Sequence, residues 1–171
     1  MGVADYAFEL GKDSGYSMAE LSQMLAIANI LSVSGAVMVM GLETKLGRAK
    51  PLLIGIIIAA MFTFALHWSQ SILVYFVANL ITGIMWAFCI SYLLSLGAAF
   101  DNHGQVAALS GFMSKLGLAS GPFIAALVVG DGNFSTIINL ATAGLVVCAL
   151  LALFPALHID KAESLNQKES V

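Results

Sequence analysis

Long apolar blocks separated by short polar or glycine-containing breaks organise this chain, and five of them approach or exceed the roughly 20 residues that a helix needs to cross a hydrocarbon core of about 30 Å. They run over 18–42, 51–67, 70–97, 104–129 and 134–157. The pattern predicts an all-α membrane protein built as a bundle of five transmembrane helices, with a polar lead-in at 1–17 and a polar tail at 158–171. Ser17 and Glu20 stand at capping-box spacing ahead of the first block, which fixes where its helix begins. Pro51 suits the opening of the second helix, which can extend through His67 and Trp68 toward the interface.

Composition agrees with the blocks. Of the 171 residues 60% are apolar and only 10% charged, well below the quarter or so usual in a soluble domain. The charges are also segregated, Asp5, Glu9, Lys12 and Asp13 before the first block and Asp160, Lys161, Glu163, Lys168 and Glu169 after the last. A net charge of -3 with no basic surface excludes nucleic acid as a partner and leaves the lipid bilayer as the expected one. Cys89 and Cys148 both sit inside apolar blocks and read as core residues rather than a disulfide or metal pair. The N-terminus has neither a signal-peptide pattern nor, with Tyr6 where Ser or Thr is wanted, a myristoylation signal.

Loop charges set the expected orientation. Lys45, Arg48 and Lys50 crowd the link between the first two blocks, whereas 67–70 and 130–133 carry no Lys or Arg, so the basic link is expected in the cytoplasm. Alternation then puts the link containing Asp101, Asn102 and His103 and the C-terminal tail inside and the N-terminus outside, in what is expected to be a bacterial cytoplasmic (inner) membrane, the plasma membrane of the cell. An acidic N-terminus outside without a signal sequence is explained most simply by a missing preceding span, with 1–17 as an extracytoplasmic loop. The chain is therefore expected to be a fragment.

Polar residues inside the blocks are the candidates for function. Lys115 stands near the middle of the fourth block, too deep to reach either interface comfortably, and shares a face with Gly104, Ala108, Gly111 and Pro122. Intramembrane charge marks a functional site by default, a structural ion pair or carbonyl-bonded lysine being the alternative. In the third block Tyr75, Asn79, Thr82, Gly83 and Trp86 fall on one helix face, and in the first block Ser22, Asn29, Ser32 and Ala36 repeat the pattern more weakly. Either stripe can line a substrate path or hold helices together.

The second and fifth blocks are nearly all apolar and are expected at the periphery, facing lipid. Gly111, Gly117, Gly121 and Pro122 permit close helix contact and a bend in the fourth. His67, His103 and His158 lie at block ends or in links, so neither a metal site nor a histidine proton relay is expected. No nucleophile elbow, P-loop, HExxH or intramembrane carboxylate pair is present, so the sequence predicts no enzyme, no catalytic residue and no cofactor.

At the basic link the residues Gly41-Leu42-Glu43-Thr44-Lys45-Leu46-Gly47-Arg48-Ala49-Lys50-Pro51-Leu52 resemble the loop signature GxLaDRxGRkxxl of the major facilitator superfamily. Leu42, Lys45, Gly47, Arg48 and Leu52 match in type, while Thr44 stands in place of the family's Asp, with Glu43 one position earlier. Asp101-Asn102-His103-Gly104-Gln105 looks like the DxxGR link before the family's eleventh helix, with Gln105 for Arg, and Gly117 to Pro122 resembles that helix's glycine-proline segment. The resemblance places the five blocks as helices eight to twelve, an incomplete C-terminal six-helix half.

It implies a secondary carrier of twelve helices, facilitated or proton-coupled, with Lys45, Gly47 and Arg48 in a gating loop. Two readings of function follow. In the first, the chain is the C-terminal part of a carrier for a small, anionic solute, with Lys115, Asn79, Trp86, Asn29, Tyr75 and Thr82 lining the cavity, and a missing N-terminal half or partner chain completes it. In the second it is a non-transporting membrane subunit that packs against another membrane protein.

Overall fold

The computed structural model describes residues 3–46, 49–99, 105–129 and 134–169. Within them the chain forms α1 (Val3–Asp13), α2 (Met18–Leu46), α3 (Ala49–Ala65) continued by a 3₁₀ turn at Leu66–Trp68, α4 (Ile72–Ala99), α5 (Gln105–Val129) and α6 (Phe134–Glu169). No strand occurs among the described residues. Among the described residues four helices are long and apolar enough to cross a membrane: Met18–Gly41, Ala49–Trp68, Ile72–Ala98 and Phe134–His158. α5, at the fourth predicted block, is a helix of 25 residues and stands outside that set of four.

The lead-in is not a plain loop. Residues 3–13 form α1, which ends when Gly15 takes φ 91°, a left-handed conformation that only glycine adopts without strain. There the amide of Gly15 donates to the Lys12 carbonyl and that of Tyr16 to the Gly11 carbonyl, a Schellman ending that uses two otherwise orphaned carbonyls. Two residues later Ser17 caps α2. Its amide and Oγ both donate to Glu20 Oε2, at 3.1 and 2.6 Å, and the Glu20 amide donates back to Ser17 Oγ at 3.4 Å. This is the predicted capping box, formed by reciprocal satisfaction of first-turn donors.

α3 starts at Ala49, two residues before Pro51, whose missing N–H falls in the first turn, where amides have no helical partner in any case. α6 runs through Pro155 and on to Glu169, so the polar tail is largely a continuation of the last helix.

α2 packs most extensively on α4, and α3 packs on both α4 and α6. Gly35 makes the first contact possible, because a Cβ there would collide with the backbone carbonyl of Ile84 on α4. Small residues at such crossings let backbones approach closely, which in a bilayer supplies van der Waals contact that hydrophobicity cannot. Gly55 does the same for α3, where a Cβ would lie 2.9 Å from Cys89 Sγ and from the Phe88 ring. The main core joins Val39 of α2, Leu52 and Ile56 of α3, Phe88, Tyr92 and Leu96 of α4, and Ala149 and Ala156 of α6. Within it the rings of Phe88 and Tyr92 meet at 4.9 Å and 58°.

This arrangement corrects one expectation. α3, predicted to be peripheral, is the most enclosed of the four spans, because its small residues Gly55, Ala59 and Ala60 let α4 and α6 pack on it. Gly111, Gly117 and Gly121 meet no other described residue, since a Cβ at any of the three would have open space. Pro122 lies within α5, which continues as α-helix to Val129.

Candidate functional site

The polar residues singled out from the sequence divide between a packed seam and an open face. α4 meets α2 at Gly83, where a Cβ would stand 3.4 Å from Ser32 Cβ, and Asn79, Thr82 and Trp86 lie at helical spacing beside it. Asn79 is half-buried and its Nδ2 donates to the Tyr75 carbonyl one turn back at 2.8 Å, which leaves its Oδ1 available to a second group. The Thr82 hydroxyl is buried and has no hydrogen-bond partner among the described residues. A buried hydroxyl in that state carries a desolvation cost of about 1–3 kcal/mol that a ligand or water would relieve.

Trp86 is 53% exposed and Asn29 of α2 is exposed, so both present polar and aromatic surface on the outside of the α2–α4 pair. Ser32 and Ser34 donate to the carbonyls of Asn29 and Leu31, at 2.6 and 2.7 Å, and so satisfy themselves within α2.

Lys115 projects from the exposed side of α5 and makes no hydrogen bond or ion pair with another described residue. α5 itself touches the bundle lightly. Its closest approach to α4 is at Gly97, where a Cβ would stand 2.5 Å from Ser110 Oγ. The structure thus brings the α2 and α4 stripes together and leaves Lys115 on a separate, uncovered helix face.

Tyr75 does not belong with these residues. It is fully buried at 0% exposure, and its hydroxyl donates to the Ala7 carbonyl of α1 at 2.6 Å. Its ring meets that of Tyr16 at 5.8 Å. Tyr16 in turn shares its one hydroxyl proton between the carbonyls of Ser69 and Gln70, at 2.8 and 2.7 Å, and Ser14 Oγ lies 3.1 Å from Ser69 Oγ. Together they form a clasp that ties α1 and its turn to the α3–α4 connection. Desolvation raises the Tyr16 phenol above its ordinary 10.0, so at neutral pH it is protonated and can donate. A sequence pattern could not reveal this clasp, because its partners lie 53 to 68 residues apart.

At the same end of the bundle His67 Nε2 lies 3.1 Å from Asn139 Oδ1, joining the end of α3 to α6, a pairing that the sequence also concealed. Of the gating-loop residues, Lys45 lies in the last turn of α2, and Gly47 and Arg48 lie outside the described residues, as do Asp101 to Gly104.

The arrangement offers binding surface rather than bond-making chemistry: one unpaired cation, an amide, an indole and an orphaned hydroxyl on helices that the chain itself does not cover. A family model described as Major Facilitator Superfamily matches residues 2–170. No curated protein and no solved structure matches the chain.

Proposed function

The chain belongs to the major facilitator superfamily, a family of membrane transporters, and from that premise we propose that it supplies one wall of a transport pathway for a small anionic solute. In this reading α2, α4 and α5 present Asn29, Asn79, Thr82, Trp86 and Lys115 to the pathway, with α5 as a fifth crossing beside the four apolar spans. The observation that carries it is Lys115, a lysine on an uncovered helix face with no partner among the described residues. A cation at membrane depth costs a few kcal/mol or more unless an opposite charge or water meets it, and a solute anion in an aqueous path supplies both.

The open polar face argues further that the wall needs a facing half, from a preceding segment or a partner chain, before it can alternate its access to the two sides. The basic link around Lys45, Arg48 and Lys50 supports a cytoplasmic position for that loop, with the N-terminus outside, in a bacterial cytoplasmic membrane. Any coupling proton would have to use a carboxylate from the facing half, because these apolar blocks hold no deep Asp or Glu.

A second reading, a non-transporting subunit, is favoured by Gly111, Gly117 and Gly121, which face open space and suit a partner helix. Uptake of a panel of radiolabelled organic and inorganic anions into vesicles separates the two. The complete assembly is expected to accumulate one of them saturably, and Lys115→Ala to reduce that uptake at least tenfold. Unchanged uptake with weakened assembly favours the subunit. Saturable uptake by the isolated chain contradicts the single-wall reading.

A further inference from the structure

Between α3 and α6 runs a groove with a volume of about 440 Å³, lined by none of the polar residues described above. Its walls include Leu53, Ile57, Met61 and Phe64 from α3 and Val146 and Leu150 from α6. The polar side chain among the lining residues, Thr142, already donates its hydroxyl to the Ile138 carbonyl at 2.8 Å, so the groove offers nothing for a polar ligand to bond. From Leu53 to Phe64 it follows α3 for roughly 16 Å at 1.5 Å per residue. A slot of that length and volume, walled by aliphatic and aromatic side chains, suits one extended hydrocarbon chain.

The end of the groove supplies the second half of the match. Beyond Phe64 the 3₁₀ turn holds His67 and Trp68, whose rings lie 4.9 and 5.9 Å from that of Phe64, and His67 reaches Asn139 of α6 at 3.1 Å. Trp68 is 60% exposed. An exposed tryptophan beside a polar pair at the end of two membrane spans is the side-chain chemistry of the headgroup level. An apolar slot one chain wide that opens onto such a cluster has the polarity profile of a phospholipid.

We propose that the α3–α6 groove is a binding site for one acyl chain of a membrane phospholipid, with the headgroup beside Trp68 and the His67–Asn139 pair. The lipid fills the space between two helices that share the core through Ile56 and Ala149, and it acts as a wedge that sets their separation. The site lies away from the polar face and is independent of the solute.

The test is lipid retention. The full chain is reconstituted in palmitoyl-oleoyl phosphatidylcholine vesicles, extracted into detergent, washed stepwise and weighed by native mass spectrometry. One phosphatidylcholine per chain is expected to survive washing that removes the rest. Ile57→Phe, which fills the groove from its open side, is expected to lower that retention at least tenfold, while Ile54→Phe, on the exposed side of α3 outside the groove, leaves it unchanged. Val146→Phe repeats the test from α6 should the first variant fail to fold, as judged by helical circular dichroism. No retained phospholipid in the parent chain, or equal retention in the groove and control variants, would overturn the site.

Discussion

Residue by residue, the glycines separate what the chain completes by itself from what it leaves open. Gly35 stands where α2 meets the α4 backbone at Ile84, so Gly35→Val must push two helices apart. Overpacking of this kind costs about 1–3 kcal/mol or more. Gly117 has open space where a side chain would begin, and Gly117→Ala is expected to change stability by less than about 1 kcal/mol, the helix-propensity difference. Unfolding of both variants in mixed micelles measures the contrast, and equal effects would show that α2 and α4 do not meet at Gly35.

The sequence pattern singled out Gly117 and passed over Gly35. Small residues announce a possible close approach, and which ones are used depends on how the helices turn against one another. Lys115 was legible as a charge out of place, whereas the orphaned Thr82 hydroxyl needed coordinates, because an identical threonine bonded to its own helix would look the same in the sequence.

At the scale of elements, local rules were readable and distant ones were not. The Ser17–Glu20 capping box follows from spacing alone and is present as predicted. Ser17→Ala should cost about 1 kcal/mol and fray the start of α2. The clasp that holds α1 was hidden, since Tyr16 and Tyr75 find their partners only after α1 has folded back on the α3–α4 connection.

Tyr16→Phe removes the one donation that this phenol shares between two carbonyls, worth about 0.5–1.5 kcal/mol. Hydrogen exchange over Val3–Asp13 should then accelerate, and unaltered protection would mean that the clasp does not hold α1. The phenol's raised value gives this contribution a direction in pH. It is fully present below 10.0 and lost as pH rises through the higher folded value, so tyrosinate absorbance and faster exchange in α1 should appear together in strongly alkaline solution. The peripheral placement of α3 failed for a related reason. Apolar composition marks a helix that avoids water, and lipid and protein satisfy it equally.

For the molecule as a whole, the apolar helices close on one another while the polar-faced ones remain uncovered. α3, α4 and α6 share the core with Val39 of α2, while α2 and α5 turn Asn29 and Lys115 outward. A complete soluble fold would reverse that order, and a lipid-facing surface would not spend a lysine at this depth. An aqueous path bounded by this face and a facing half accounts for both observations. The membrane class and the family signature were legible early because they rest on block length and motif order. The shape of the site was not, because it depends on how the helices turn their polar faces, which block length and motif order do not encode.

The most direct measurement is therefore water access along that face in the native membrane. Single cysteines replace Asn29, Trp86, Lys115 or, as a lipid-facing control, the 82% exposed Phe154, in a chain carrying Cys89→Ala and Cys148→Ala, and each is offered a charged, membrane-impermeant maleimide. The account predicts labelling at the first three positions and none at the control. If positions 29, 86 and 115 label no faster than 154, the face looks onto lipid, and the chain is not the wall of a transport pathway.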